Sequence, residues 1–165
     1  MSNYGYIPSK DELMNQAKKI CDCLGYGINQ KAHLLILGTA TTETGLGTIK
    51  DLTVGAGMGI CQFDNCEPYF PFDDLKKRSI KYRDKILAGL GIDISLVEWE
   101  HLRYNTFLSL LFCRLHYLPL AETIPETVEN RAKYWKKYYN TVNGKGTPEH
   151  YIEMNKEFGV DVWVQ

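Results

Sequence analysis

The sequence lacks any long apolar run. The longest, at 34–37 and 107–112, fall far short of the roughly 20 residues that a membrane span needs, so no membrane insertion is expected. Its start, Met1-Ser-Asn-Tyr-Gly-Tyr6, has neither the basic opening nor the apolar core of a signal peptide. No sign of charge prevails either: 19 Lys and Arg against 20 Asp and Glu give a formal net charge of -1. That balance argues against a surface built to coat nucleic acid or anionic lipid, and no nucleic-acid partner is expected. Repeats, low-complexity stretches and linkers are also missing. We expect a single domain over 1–165, acting as a monomer.

Cysteine pairs at metal-binding spacing are absent too. The five cysteines are Cys21, Cys23, Cys61, Cys66 and Cys113. An odd count without an export signal suggests reduced thiols, with Cys61–Cys66 the likeliest local pair if any disulfide formed. Neither Cys21-Asp-Cys23 nor Cys61…Cys66 has the usual two-residue gap of a zinc site. No metal and no cofactor are expected.

What remains is a mostly helical pattern. Ser9-Lys-Asp-Glu12 reads as a capping box ahead of Leu13, Ala17, Ile20 and Leu24 at helical spacing, with Gly25 as the stop. Asn29 is positioned to cap a second helix, apolar on nearly all sides, that runs from Ala32 to about Glu43. Five glycines between Gly45 and Gly59 then favour tight turns and a short β-hairpin. Helix resumes after Phe72-Asp73-Asp74 as far as Gly91. Ser95–Glu98 and Thr123–Glu126 read as further capping boxes, the first leading into Phe107–Phe112 and the second into Val128–Tyr139. Thr147-Pro148 opens a last helix. The expected class is α+β, predominantly α-helical, with one small glycine-rich β-hairpin.

The residue with most chemical promise is Glu43, which ends the most apolar helix just before the glycine-rich segment. A carboxylate is unfavourable at a helix C-terminus, where the dipole is negative. Partial desolvation there favours the protonated form that a general acid needs. An exposed helix-end glutamate is the plainer alternative.

The order Glu43-Thr-Gly, a glycine-rich stretch, then Gly59-Ile60-Cys61-Gln62-Phe63-Asp64 resembles the lysozyme-like superfamily. The resemblance points to goose-type lysozymes and soluble lytic transglycosylases, whose Gly-Leu-Met-Gln element Gly59–Gln62 matches. Arg114-Leu-His-Tyr117 and Trp135-Lys-Lys-Tyr-Tyr-Asn-Thr141 look similar to stretches of phage-encoded members. The resemblance implies a lysozyme-like fold and cleavage of the β-1,4 bond between N-acetylmuramic acid and N-acetylglucosamine in peptidoglycan glycan strands. It makes Glu43 the acid, with Gln62, Met58, Gly59 and Ile60 lining the sugar site and the glycines admitting the glycan to the backbone. Asp64 matches an aspartate that positions water. Asp51, only 8 residues after Glu43, is the sole acid near the place of a second. Tyr138 or Tyr139 stands where the family places a groove tyrosine, with Tyr139 preferred. Asn105 and Thr106 either reach glycan or cap a helix, and Trp99 and Trp135 either stack on sugars or join the core.

Product chemistry stays open on these residues. A second carboxylate across the bond from the acid implies an inverting hydrolase. Without one, attack by the sugar's own 6-hydroxyl implies a lytic transglycosylase. Two other classes compete: a cell-wall amidase or peptidase with Cys61 as nucleophile beside His33, His101 or His116, and a non-catalytic glycan-binding module. The basic stretch Arg131–Lys137 is either wall-attracting or a solvated helix face. The setting implied is a phage endolysin, held in the host cytoplasm until a holin releases it to the wall, or a virion-associated enzyme.

Overall fold

The computed structural model describes residues 4–49 and 57–162. Among these, seven α-helices carry the architecture: α1 (Lys10–Leu24), α2 (Ala32–Thr44), α3 (Pro71–Ser79), α4 (Arg83–Leu90), α5 (Thr106–Tyr117), α6 (Val128–Trp135) and α7 (Pro148–Phe158). The chain is predominantly helical, and no sheet forms among the described residues. No helix there is long and apolar enough to cross a membrane.

Helix α2 lies at the centre, with α1, α5, α6 and α7 packed around it. Its sequence dictates this position. Leu34, Leu35, Ile36, Leu37 and Ala40 leave no polar face, so every side of the helix must be covered. Each buried Leu or Ile contributes about 1.5–3 kcal/mol relative to exposure. The polar residues of α2 survive burial by bonding back: the Thr39, Thr41 and Thr42 hydroxyls donate to the carbonyls of Leu35, Leu37 and Gly38 at 2.7–2.9 Å.

Several helix starts agree with their sequence signals. Ser9 and Glu12 form the reciprocal capping box, and Thr147 caps α7 ahead of Pro148. Others differ. Lys31 occupies the N-cap position of α2 without a side-chain bond, while Asn29 donates instead to the Ile124 carbonyl. Ser95 lies in a 3₁₀ turn whose cap is Asp93, and a second 3₁₀ segment (Trp99–Tyr104) intervenes before Asn105 caps α5. Thr127, not Thr123, caps α6. Apart from α2, a nearby Asp, Asn or Thr offers the same acceptor at the residue where the chain actually turns. The helix expected after Phe72-Asp73-Asp74 as far as Gly91 is broken by a 3₁₀ turn at Ile80–Tyr82.

The expected hairpin shrinks, among the described residues, to one antiparallel bridge. Met58 and Phe63 exchange backbone hydrogen bonds at 2.8 and 3.0 Å around a turn at residues 59–62. Asp51 and Gly55 lie outside the described residues.

Candidate functional site

Glu43 sits on the last turn of α2, half-buried, where the helix ends in a left-handed Gly45. The Trp135 indole N–H donates to its Oε1 at 3.2 Å. Trp135 itself is buried against Ala132 and Tyr151. The carboxylate therefore rests against a buried aromatic, and part of it remains exposed. Nothing in local sequence marks this partner, since 92 residues separate the two.

The turn after Glu43 is tied to the bridge loop. Thr44 donates its hydroxyl to the Ile60 carbonyl at 2.8 Å, and the Cys61 N–H donates to Ser109 Oγ on α5 at 3.1 Å. Across the loop, the Tyr139 hydroxyl donates to the Cys61 carbonyl at 2.6 Å. Tyr139 belongs to a π-helical turn, Lys136–Asn140, that continues α6. Such turns shift the helical register by one residue and recur at functional sites. The two adjacent tyrosines diverge. Tyr139 packs against Phe63, His116 and Tyr117, whereas Tyr138 points outward to Glu122. Burial pushes the Tyr139 phenol well above its ordinary range, helped by Cys113, Cys61 and Glu43 nearby. It stays a neutral donor at any working pH.

Beside this tyrosine lies a hollow of about 400 Å³ lined by Gln62, Asp64, Arg78, His116, Tyr139 and Asn143 among others. Asp64 is exposed at its edge. Burial lowers the His116 pKa, and the ring Nε2–H donates to the Tyr138 carbonyl at 2.6 Å. Glu43 is not among the described residues that line this hollow.

Ile60 and the glycines of the loop face the protein's own interior. Ile60 is core, 1% exposed, and its carbonyl is engaged by Thr44. It supports the loop from beneath and does not line a surface. The glycines make room for the protein's own backbone. A Cβ on Gly59, at φ +74°, would come within 2.6 Å of the Leu102 carbonyl, and one on Gly57 within 2.5 Å of Gln62. Met58 is half-buried in the bridge. Gln62 adopts φ +55°, and its Nε2 donates to the Gly59 carbonyl at 2.9 Å and to Tyr4 at 3.3 Å. Its Oε1 is buried without a partner among the described residues. Asn105 is an N-cap, its Oδ1 accepting from Leu108 N–H at 2.9 Å, and lines a separate hollow with Tyr6, Gln16 and Tyr104.

Trp99 is half-buried and spends its N–H on the Phe63 carbonyl. The basic segment is dismantled: Arg131 is buried, Lys136 bonds Asn140 and Gly144, and Lys137 pairs with Glu122. Cys61 is fully buried, while the three imidazoles named as its activators are engaged elsewhere: His33 against Tyr26, His101 with Glu98 N–H, and His116 with Tyr138. All five thiols are free, and Cys66 is exposed while Cys61 is not. No group of three or more His, Cys, Asp or Glu stands ready to hold a metal among the described residues. The chain matches no family model, no curated protein sequence and no solved structure.

Proposed function

We propose that this chain is a peptidoglycan-cleaving muramidase, with Glu43 as the general acid that protonates the glycosidic oxygen between N-acetylmuramic acid and N-acetylglucosamine. The observation that carries the reading is the setting of Glu43: a half-buried carboxylate at the end of a wholly buried helix, held from one side by the Trp135 N–H. A carboxyl fixed in that way loses little freedom when it meets the leaving oxygen. Gln62 and Tyr139, which line the hollow beside the loop, supply polar and aromatic surface for sugar rings. In this reading Asp64 positions the attacking water and the product carries reducing muramic ends. The biological setting that fits is lysis of a bacterial host by a phage enzyme.

One observation favours the second reading, a lytic transglycosylase: Asp64 is exposed on a hollow that Glu43 does not line among the described residues. Intramolecular attack by the 6-hydroxyl needs no second carboxylate. Mass spectrometry of digested peptidoglycan tests both. Reducing ends are expected to dominate, with Asp64→Asn slowing the reaction; mainly 1,6-anhydro ends would assign the transglycosylase. Absence of any cleaved glycan from folded wild-type protein would overturn the glycosidase reading altogether.

A further inference from the structure

Two arginines are buried in this molecule, and they are treated differently. Arg131, 1% exposed, has a carboxylate partner in Asp161 and donates to the Glu126 carbonyl as well. Arg114, 4% exposed, lacks a carboxylate partner. Its Nε donates to the Gly25 carbonyl at 3.1 Å and its side chain hydrogen-bonds the Cys21 thiol, but none of the ion pairs among the described residues includes it. A guanidinium is almost never buried without a counter-charge, because desolvation costs more than neutral partners return.

Its neighbours cannot supply the missing charge. Cys21 and Tyr134 are both pushed up to about 12 by burial, so they stay neutral at ordinary pH. Burial lowers the pKa of Arg114 itself, as an uncompensated cation requires. The nearby carboxylate, Glu122, is already held by Lys137 at 2.6 Å and by the Tyr138 hydroxyl.

Arg114 faces a cleft of about 130 Å³ between the turn after α1 and the segment 118–124, lined also by Gly27, Ile28, Tyr117, Glu122 and Thr123. That volume is several times what one water needs, yet too small for a sugar ring with its substituents or for a nucleotide. We propose that this cleft binds a single small oxyanion, a carboxylate or a phosphate group, with Arg114 as its forked donor. A guanidinium matches either group through two parallel N–H donors, and the dry setting strengthens the contact. The site lies apart from the hollow beside Tyr139, and the proposal does not depend on glycan cleavage.

The test uses the full chain with ¹⁵N-labelled arginine. Inorganic phosphate and acetate are titrated separately, against chloride at equal ionic strength. One arginine Nε resonance is expected to shift saturably, with a rise in the thermal midpoint that chloride does not give. Arg114→Lys is expected to remove both effects. Ile28→Glu, at an 82% exposed position on the rim, places a competing carboxylate there and is expected to weaken binding about tenfold, the scale of one charge-assisted contact. It keeps the proposal testable if Arg114→Lys does not fold. Saturation by phosphate alone assigns a phosphate group, by acetate alone a carboxylate, and by both a general oxyanion site. No saturable response in the wild type overturns the proposal, as does a response that Arg114→Lys or Ile28→Glu leaves unchanged.

Discussion

The middle of α2 and its C-terminal end differ in how they treat polar groups. In the middle, hydroxyls turn back onto the helix's own carbonyls. The seam with α7 is closed by Asn155, whose amide donates to the Gly38 carbonyl, Thr42 Oγ1 and the Tyr151 carbonyl at 2.8–3.3 Å. At the end, side chains bond to other segments: Thr44 to the Ile60 carbonyl, and Glu43 from Trp135. The first arrangement removes polar atoms from water and keeps them there. The second fixes a carboxylate while leaving part of it wet. One helix thus holds both a structural polar seam and the chain's best candidate for acid chemistry.

The largest expected effect falls on the open end. Glu43→Gln keeps an acceptor for the Trp135 N–H but has no proton to give. Clearance of cell-wall turbidity should fall by about 10²–10⁴-fold with the thermal midpoint nearly unchanged. A variant that clears at the wild-type rate would remove Glu43 from the chemistry and erase the contrast.

The closed seam should answer in stability instead. A Cβ on Gly38 would collide with the Tyr151 hydroxyl and come within 2.8 Å of Asn155 Oδ1. Gly38→Ala should destabilise by about 1–3 kcal/mol in urea unfolding, with activity per folded molecule retained. A neutral result would show that the seam gives way easily.

The adjacent tyrosines sharpen the same distinction at smaller scale. Tyr139→Phe leaves the Cys61 carbonyl without its donor and should cost about 1–2 kcal/mol. Tyr138→Phe removes only an exposed bond to Glu122 and should cost less than about 1 kcal/mol. Equal losses would mean that the two neighbours do not differ in role.

The last effect concerns pH. Burial, with Lys18, Lys31 and Arg131 adding to it, lowers His33 to about 4 in the folded chain. The unfolded value is about 6.5, so the unfolded chain takes up the proton first. The stability held by neutral His33 is complete above about pH 6.5 and drains away as pH falls toward about 4. His33→Phe should flatten that part of the stability profile, and an unchanged slope would assign the acid sensitivity to other groups.

Much of the helical content was legible in the sequence because its causes are local. The capping box at Ser9–Glu12, the start at Thr147-Pro148 and the all-round apolar character of α2 each depend on residues a few positions apart. Local signals also placed Glu43 at the end of that helix. Where several cap-forming residues crowd together, as around Asp93, Ser95 and Glu98, sequence could not choose, since the choice depends on where packing makes the chain turn.

The site's partners belong to tertiary structure alone. The distance from Trp135 to Glu43, from Tyr139 to the Cys61 carbonyl, and from Cys61 to Ser109 spans 92, 78 and 48 residues. No periodicity reaches so far. Tyr139, already preferred on the resemblance, is the one of the pair that reaches the Cys61 carbonyl, and the glycines at 57 and 59 are explained by backbone that returns from elsewhere in the fold. Composition and short-range pattern determined that this chain would be helical with a carboxylate at the end of its central helix. Only the packing of distant segments decided what holds that carboxylate, because hydrogen bonds between elements exist only once the core has brought them together.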